Sequence, residues 1–153
     1  MAQAAGRVAC EPDCRGQALE RLILDTTILI AAERSTALIE EAISDGDDVA
    51  IAAVTAAELL VGVQLANDRR RVARQAFVGA ILATVPIEPY DLNTARAHSD
   101  LMVWTRAAGR VRGAHDLLIA ATARVTERTV LTADATGFID LPGVTVRTML
   151  DHP

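Results

Sequence analysis

The sequence predicts an α/β domain, a three-layer α/β/α sandwich around a central, mainly parallel sheet. Three observations carry that expectation. Short apolar runs of strand length (LIL, VAIAAVT, TVLT) alternate with longer stretches whose apolar residues recur at helical spacing. Short strands separated by helices pair in parallel through right-handed crossovers. The chain has 153 residues and is about half hydrophobic (51%), enough for one domain with a substantial core.

The elements follow in order. Leu22–Asp25 reads as a short buried strand. Ser35 opens a helix with Leu38, Ile39, Ala42 and Ile43 at helical spacing, stopped by SDGDD. Val49–Thr55 is a second strand, and Thr55-x-x-Glu58 starts a helix reaching about Ala66. Asp68 caps a helix through Ala83, with Phe77, Ile81 and Leu82 inward and Arg69, Arg70 and Arg71 outward. Val85–Ile87 is a brief strand. Asp91 caps a helix that runs to Ala108 and stops at Gly109. His115–Thr126 is the last long helix, its apolar positions being Leu118, Ile119, Ala121, Thr122 and Val125. Thr129–Thr132 and Val144–Arg147 complete the strands. Neither repeats nor a linker interrupt the pattern, so residues 21–150 are expected to form a single domain behind a poorly ordered leader, 1–20.

Composition excludes several functions. No stretch approaches the roughly 20 apolar residues of a membrane span, and the leader lacks an apolar signal core, so the cytoplasm is expected. Cys10 and Cys14 have no further metal ligands at a recognisable spacing. The net charge of −5 does not suit a nonspecific nucleic-acid binder. All 15 basic residues are arginine. Without lysine there is no P-loop, no Schiff base and no receiver-type phosphoaspartate site.

In an open parallel sheet, ligands bind beyond the carboxyl ends of the strands. Asp25 closes the first strand; Glu58 and Asp116 fall in first helical turns; Asp134 follows TVLT directly. Each has a plainer role: turn cap for Asp25, capping box with Thr55 for Glu58, helix-dipole partner for Asp116, turn residue for Asp134. As a set they collect four carboxylates on one sheet edge. Such a cluster repels itself unless a hard cation compensates, which points to Mg²⁺ or Mn²⁺. A carboxylate-held cation suits phosphodiester hydrolysis, and it lets an acidic protein act on an acidic polymer.

The motifs LILDTTILI, TAAELLVG, GAHDLLIAATA and VLTADATGF followed by LPGV resemble those of PIN-domain ribonucleases, specifically VapC toxins of bacterial toxin–antitoxin pairs. The resemblance covers about Leu22 to Arg147. It assigns the metal-binding acids to Asp25, Glu58, Asp116 and Asp134. VapC-like chains commonly read T-x-N-x-x-D-F in the last motif. Here Asp134 stands at the Asn position and Gly137 at that of the later Asp. The resemblance implies a homodimer, a VapB-type antitoxin and cleavage of structured RNA such as tRNA or rRNA. Thr26, Thr27 and Thr132 are placed to hydrogen-bond a ligand carboxylate. His115, beside Asp116, is expected to support the site from behind. Helices at Ser35–Ser44 and Thr55–Ala66 would supply an apolar groove for an antitoxin helix.

Two arginine clusters are candidates for RNA contact. Arg69, Arg70, Arg71 and Arg74 read as a solvated helix face. Arg106, Arg110 and Arg112 precede Asp116, and Arg112 is the candidate phosphate ligand. The favoured reading is a divalent-metal endoribonuclease. The alternatives are a DNA- or flap-directed nuclease on the same scaffold and a non-catalytic binding module.

Overall fold

The computed structural model describes residues 19–149. Cys10, Cys14 and all but the last two residues of the expected leader lie outside that range. Five strands, β1 (Arg21–Leu24), β2 (Asp48–Ala52), β3 (Ile87–Glu88), β4 (Thr129–Thr132) and β5 (Val146–Thr148), form one wholly parallel sheet. Its order is β3-β2-β1-β4-β5. The chain builds outward from β1 through β2 and β3, then returns to the other side of β1. The order therefore reverses between β1 and β4, where an open α/β sheet leaves a crevice.

Strand alternation divides the core between two faces. Leu22, Leu24, Ile51 and Leu131 face α1 (Thr26–Arg34), α2 (Thr36–Ala42), α3 (Ala53–Gln64) and α4 (Asp68–Thr84). Ile23, Ala52 and Val130 face α5 (Leu92–Ala107) and α6 (Ala114–Thr126), with Phe138 and Leu141 closing that layer. This is the three-layer sandwich the sequence predicts. Among the described residues no helix is long and apolar enough to cross a membrane.

Several local expectations are corrected. The strand ends at Leu24, and TTILIAAER, for which no helix is expected, forms α1. Its β-branched residues disfavour a helix, but Ile28, Leu29 and Ala32 share a buried face and Asp25 caps the first turn. Burial on the sheet overrides propensity. The run VAIAAVT is strand only to Ala52, because β2 pairs with β3 no further than Ala52–Glu88. The alanine-rich continuation becomes α3 two residues before Thr55. Glu58 therefore sits in the second turn, and there is no capping box: Ala52 is the cap position, and the buried Thr55 hydroxyl has no hydrogen-bond partner.

Asn67, not Asp68, caps α4, accepting the Arg70 amide at 3.1 Å. The short edge strands β3 and β5 begin two residues later than expected. On α6 the core contacts come from Leu117, Ile119, Ala120, Ala121, Thr122 and Ala123, while Val125 is exposed. Asp91 caps α5 as expected, and Gly109 ends that helix region at φ +64°.

Candidate active site

Asp25 leaves β1 at the crevice, with its amide bonded to the Leu131 carbonyl of β4 at 3.0 Å. The side chain is 4% exposed, and three donors satisfy it. Oδ1 accepts the Thr26 amide at 2.8 Å; Oδ2 accepts the hydroxyls of Thr27 at 2.6 Å and Thr132 at 2.7 Å. The Thr132 hydroxyl also accepts the Asp134 amide at 3.1 Å. The last residue of β4 thus orients Asp25 and anchors the turn carrying Asp134. The Thr27 hydroxyl in turn accepts the Ala133 amide at 3.1 Å.

Glu58 reaches the same edge from α3. Oε2 accepts the Thr26 hydroxyl, and Oε1 meets His115 Nδ1 at 2.5 Å. A carboxylate only accepts, so Nδ1 carries the proton and the exposed ring holds Glu58 in place. Asp134 opens a 3₁₀ turn (Ala135–Gly137), where Oδ1 accepts the Thr136 amide at 3.0 Å and hydroxyl at 2.8 Å. Those two bonds hold its carboxyl below the ordinary range.

Asp116 lies in the first turn of α6. Its carboxyl is pushed above the ordinary range by burial first, then by the charges of Asp25, Glu58 and Asp134, with His115 acting weakly the other way. One acid therefore feels the other three. Among the described residues no basic side chain pairs with Asp25, Asp116 or Asp134, and Glu58 has only His115.

The sequence holds no obvious signal for how Asp116 is seated. A Cβ at Gly113 would lie 2.6 Å from Asp116 Oδ2, and a Cβ at Gly137 would strike the same oxygen. These two glycines leave their side-chain volume to one carboxylate. The space that a side chain at Gly137 would fill is taken by Asp116. The spacing G-A-H-D hints at the Gly113 contact; Gly137 gives no local sign.

All-oxygen, all-carboxylate donors in a half-buried crevice fit a hard divalent cation. Among the described residues, however, no three acids converge closely enough to form a ready-made cage. The hydroxyls and His115 hold Asp25 and Glu58 instead.

The first arginine cluster differs from the expected solvated face at two residues. Arg71 donates twice to the Ala66 carbonyl, at 3.2 and 2.8 Å. Arg74 is not simply solvated: it grips Glu33 of α1 through two bonds, at 3.0 and 2.8 Å. This pair borders a small apolar cavity between α1, α3 and α4, lined by Leu29, Ile30, Leu59, Phe77 and Val78 and reaching Thr26 and Glu58. The groove next to the acids thus involves α1 and α4 with α3, rather than α2 with α3. Arg112 donates from Nη2 to the Ile139 carbonyl at 3.1 Å, next to the turn of Asp134.

The PIN domain family profile matches residues 22–143, which include all four acids. The chain belongs to the PIN-domain family. The PIN domain is 29% identical over 129 residues to a ribonuclease VapC from Rickettsia bellii, covering 84% of this chain and 96% of that one. Among solved structures it resembles VapBC-5 of Mycobacterium tuberculosis, a member of the VapBC family of toxin–antitoxin systems. Identity there is 34% and the TM-score 0.68, over 84% of this chain and 96% of that one. FitAcB of Neisseria gonorrhoeae is also similar, at 29% identity and TM-score 0.72, over 86% and 99% of the two chains.

Proposed function

We propose that this PIN domain is the toxin of a VapBC-type pair, a ribonuclease that hydrolyses RNA phosphodiester bonds and is held in check by a VapB-type antitoxin. The observation that carries this reading is the gathering of Asp25, Glu58, Asp116 and Asp134 at the exits of a parallel sheet, where burial first and then the other three charges raise the Asp116 carboxyl. The relatives of similar length and their toxin–antitoxin complexes support it.

Asp25, Glu58, Asp116 and Asp134 would hold the cation, Mg²⁺ or Mn²⁺. When bound it would lower the pKa of the attacking water and offset charge on the phosphate. The chain's own residues prepare that site. Thr132 and Thr27 orient Asp25, Thr26 and His115 orient Glu58, and the two glycines seat Asp116. The groove between α1, α3 and α4 ends at Thr26 and Glu58, so an antitoxin helix laid in it would reach the acids. The reading extends to a cytoplasmic homodimer acting on structured RNA such as tRNA or rRNA.

The test is RNA cleavage by the purified chain. Mg²⁺ or Mn²⁺ supports cutting, EDTA stops it, and Asp25→Ala reduces it to background. Cleavage that survives in Asp25→Ala sinks the reading.

A further inference from the structure

Among the described residues, Arg21, Arg71, Arg74, Arg110, Arg124, Arg128 and Arg147 each have a carboxylate within 4.0 Å. Arg106 and Arg112, like Arg34, Arg69, Arg70 and Arg96, do not. Among the described residues neither forms an ion pair, and Arg112 Nε is buried with no hydrogen-bond partner. Together with Arg110 they line an open cavity of about 370 Å³ between the last turn of α5 and the first turn of α6. Of the three arginines that line it, one has a carboxylate partner: Asp140 holds Arg110 at 2.7 Å. Asp140 does so from a left-handed backbone, at φ 65°. A chain of net charge −5 thus keeps a local positive surplus at one cavity.

The cavity's position matters as much as its charge. Leu117 forms part of its wall, and the preceding residue, Asp116, belongs to the acid cluster. Arg112 adjoins Gly113, whose backbone abuts the Asp116 carboxylate.

We propose that this cavity is a phosphate subsite for the RNA strand, taking a phosphate that flanks the scissile one. The proposal rests on the ribonuclease reading of the adjoining acids. Guanidinium forks match phosphate oxygens in pairs, and weak hydration makes arginine suited to a partly enclosed site. Asp140 serves Arg110 as an internal counter-anion, which an RNA phosphate exchanges for itself. The subsite holds the polyanion beside the carboxylates rather than on them, so the acids need not attract RNA themselves.

Binding of a fluorescent single-stranded RNA to the full chain in EDTA tests the subsite without requiring cleavage. Arg106→Gln removes a side chain that has no partner to lose. It should weaken binding roughly three- to tenfold and reduce the slope of log affinity against log salt by about 0.7. Asp140→Asn, which tolerates the left-handed backbone, should tighten binding. Inorganic phosphate should compete with RNA on the wild type and less well on Arg106→Gln. Unchanged affinity and salt slope in Arg106→Gln overturn the subsite, even if the wild type cuts RNA with Mn²⁺. Arginine-dependent binding without any metal-dependent cutting supports the subsite and instead removes the ribonuclease reading.

Discussion

Arg128 and Asp25 are both buried charged residues beside the sheet, at 7% and 4% exposure, yet their surroundings are opposite. Arg128 precedes β4 and is neutralised within the chain. Its guanidinium donates to Glu88 at 3.0 Å and to the carbonyls of Asp48 at 2.8 Å and Leu22 at 3.4 Å, with the Asp48 carboxylate 3.0 Å away. Asp48 responds, its carboxyl lowered first by Arg128 and then by Arg21. Three strands are tied to a fourth by one side chain. Asp25, at the other ends of the strands, has hydroxyl and amide donors but no cation among the described residues, and the Asp116 carboxyl is raised by burial first and then by the charge of Asp25, Glu58 and Asp134. The lesson is one of completeness. A charge compensated by the fold serves the fold, whereas the acid cluster has no internal counter-ion except His115 among the described residues, as the proposed cation site requires.

That contrast can be broken at either end. The largest effect on stability is expected from Arg128→Met, which strands two carbonyls and two acids. Removing one partner of a buried pair costs roughly 3–5 kcal/mol. Glu88 and Asp48 can rehydrate, so about 3 kcal/mol is expected here, read from the urea midpoint. Activity per folded molecule should stay near wild type; a parallel loss of activity would erase the distinction between the two ends.

At the acid end, Thr132→Val keeps the shape of a β-branched residue but removes the donor to Asp25. Lost outer hydrogen bonds typically lower metal affinity or activity about 10–100-fold. Mn²⁺ titration and RNA cleavage should both show that loss, with the fold intact by circular dichroism. Unchanged Mn²⁺ affinity would mean that Thr132 serves β4 alone.

The smallest effect has the opposite sign. Asp116→Asn should abolish cleavage yet raise Tm in EDTA, by roughly 2–4 °C at pH 7. The sign follows from its raised carboxyl: the ionised form opposes folding at neutral pH. That opposition fades as pH falls through the raised value and is gone below the ordinary carboxylate range. The Tm gap between variant and wild type should therefore close on acidification. A variant less stable than wild type at pH 7 would show that Asp116 contributes to the fold.

How much of this was legible beforehand depends on the range of the interaction. The position of Asp25 is legible because it rests on one apolar strand ending in a carboxylate, a local pattern. The helix α1 is not legible in the sequence because Thr26, Thr27, Ile28 and Ile30 carry strand propensity. Only packing of Ile28 and Leu29 with Ile51 and Leu131 turns that segment into a helix. The capping box at Thr55 failed for a related reason: its four-residue signal is weaker than the helical preference of the alanines before it.

The sequence by itself determined the alternation of strands and helices, the four acids near one edge, and the absence of lysine chemistry. Each of these is a matter of residue type and short-range period. The tertiary structure alone decided that Thr132 would meet Asp25 across 107 positions, that Gly113 and Gly137 would flank one carboxylate, and that Arg110 would find Asp140. Those contacts depend on β4 returning to lie beside β1. Chain order does not encode that neighbourhood locally. It emerges only when the crossovers bury both faces of the sheet.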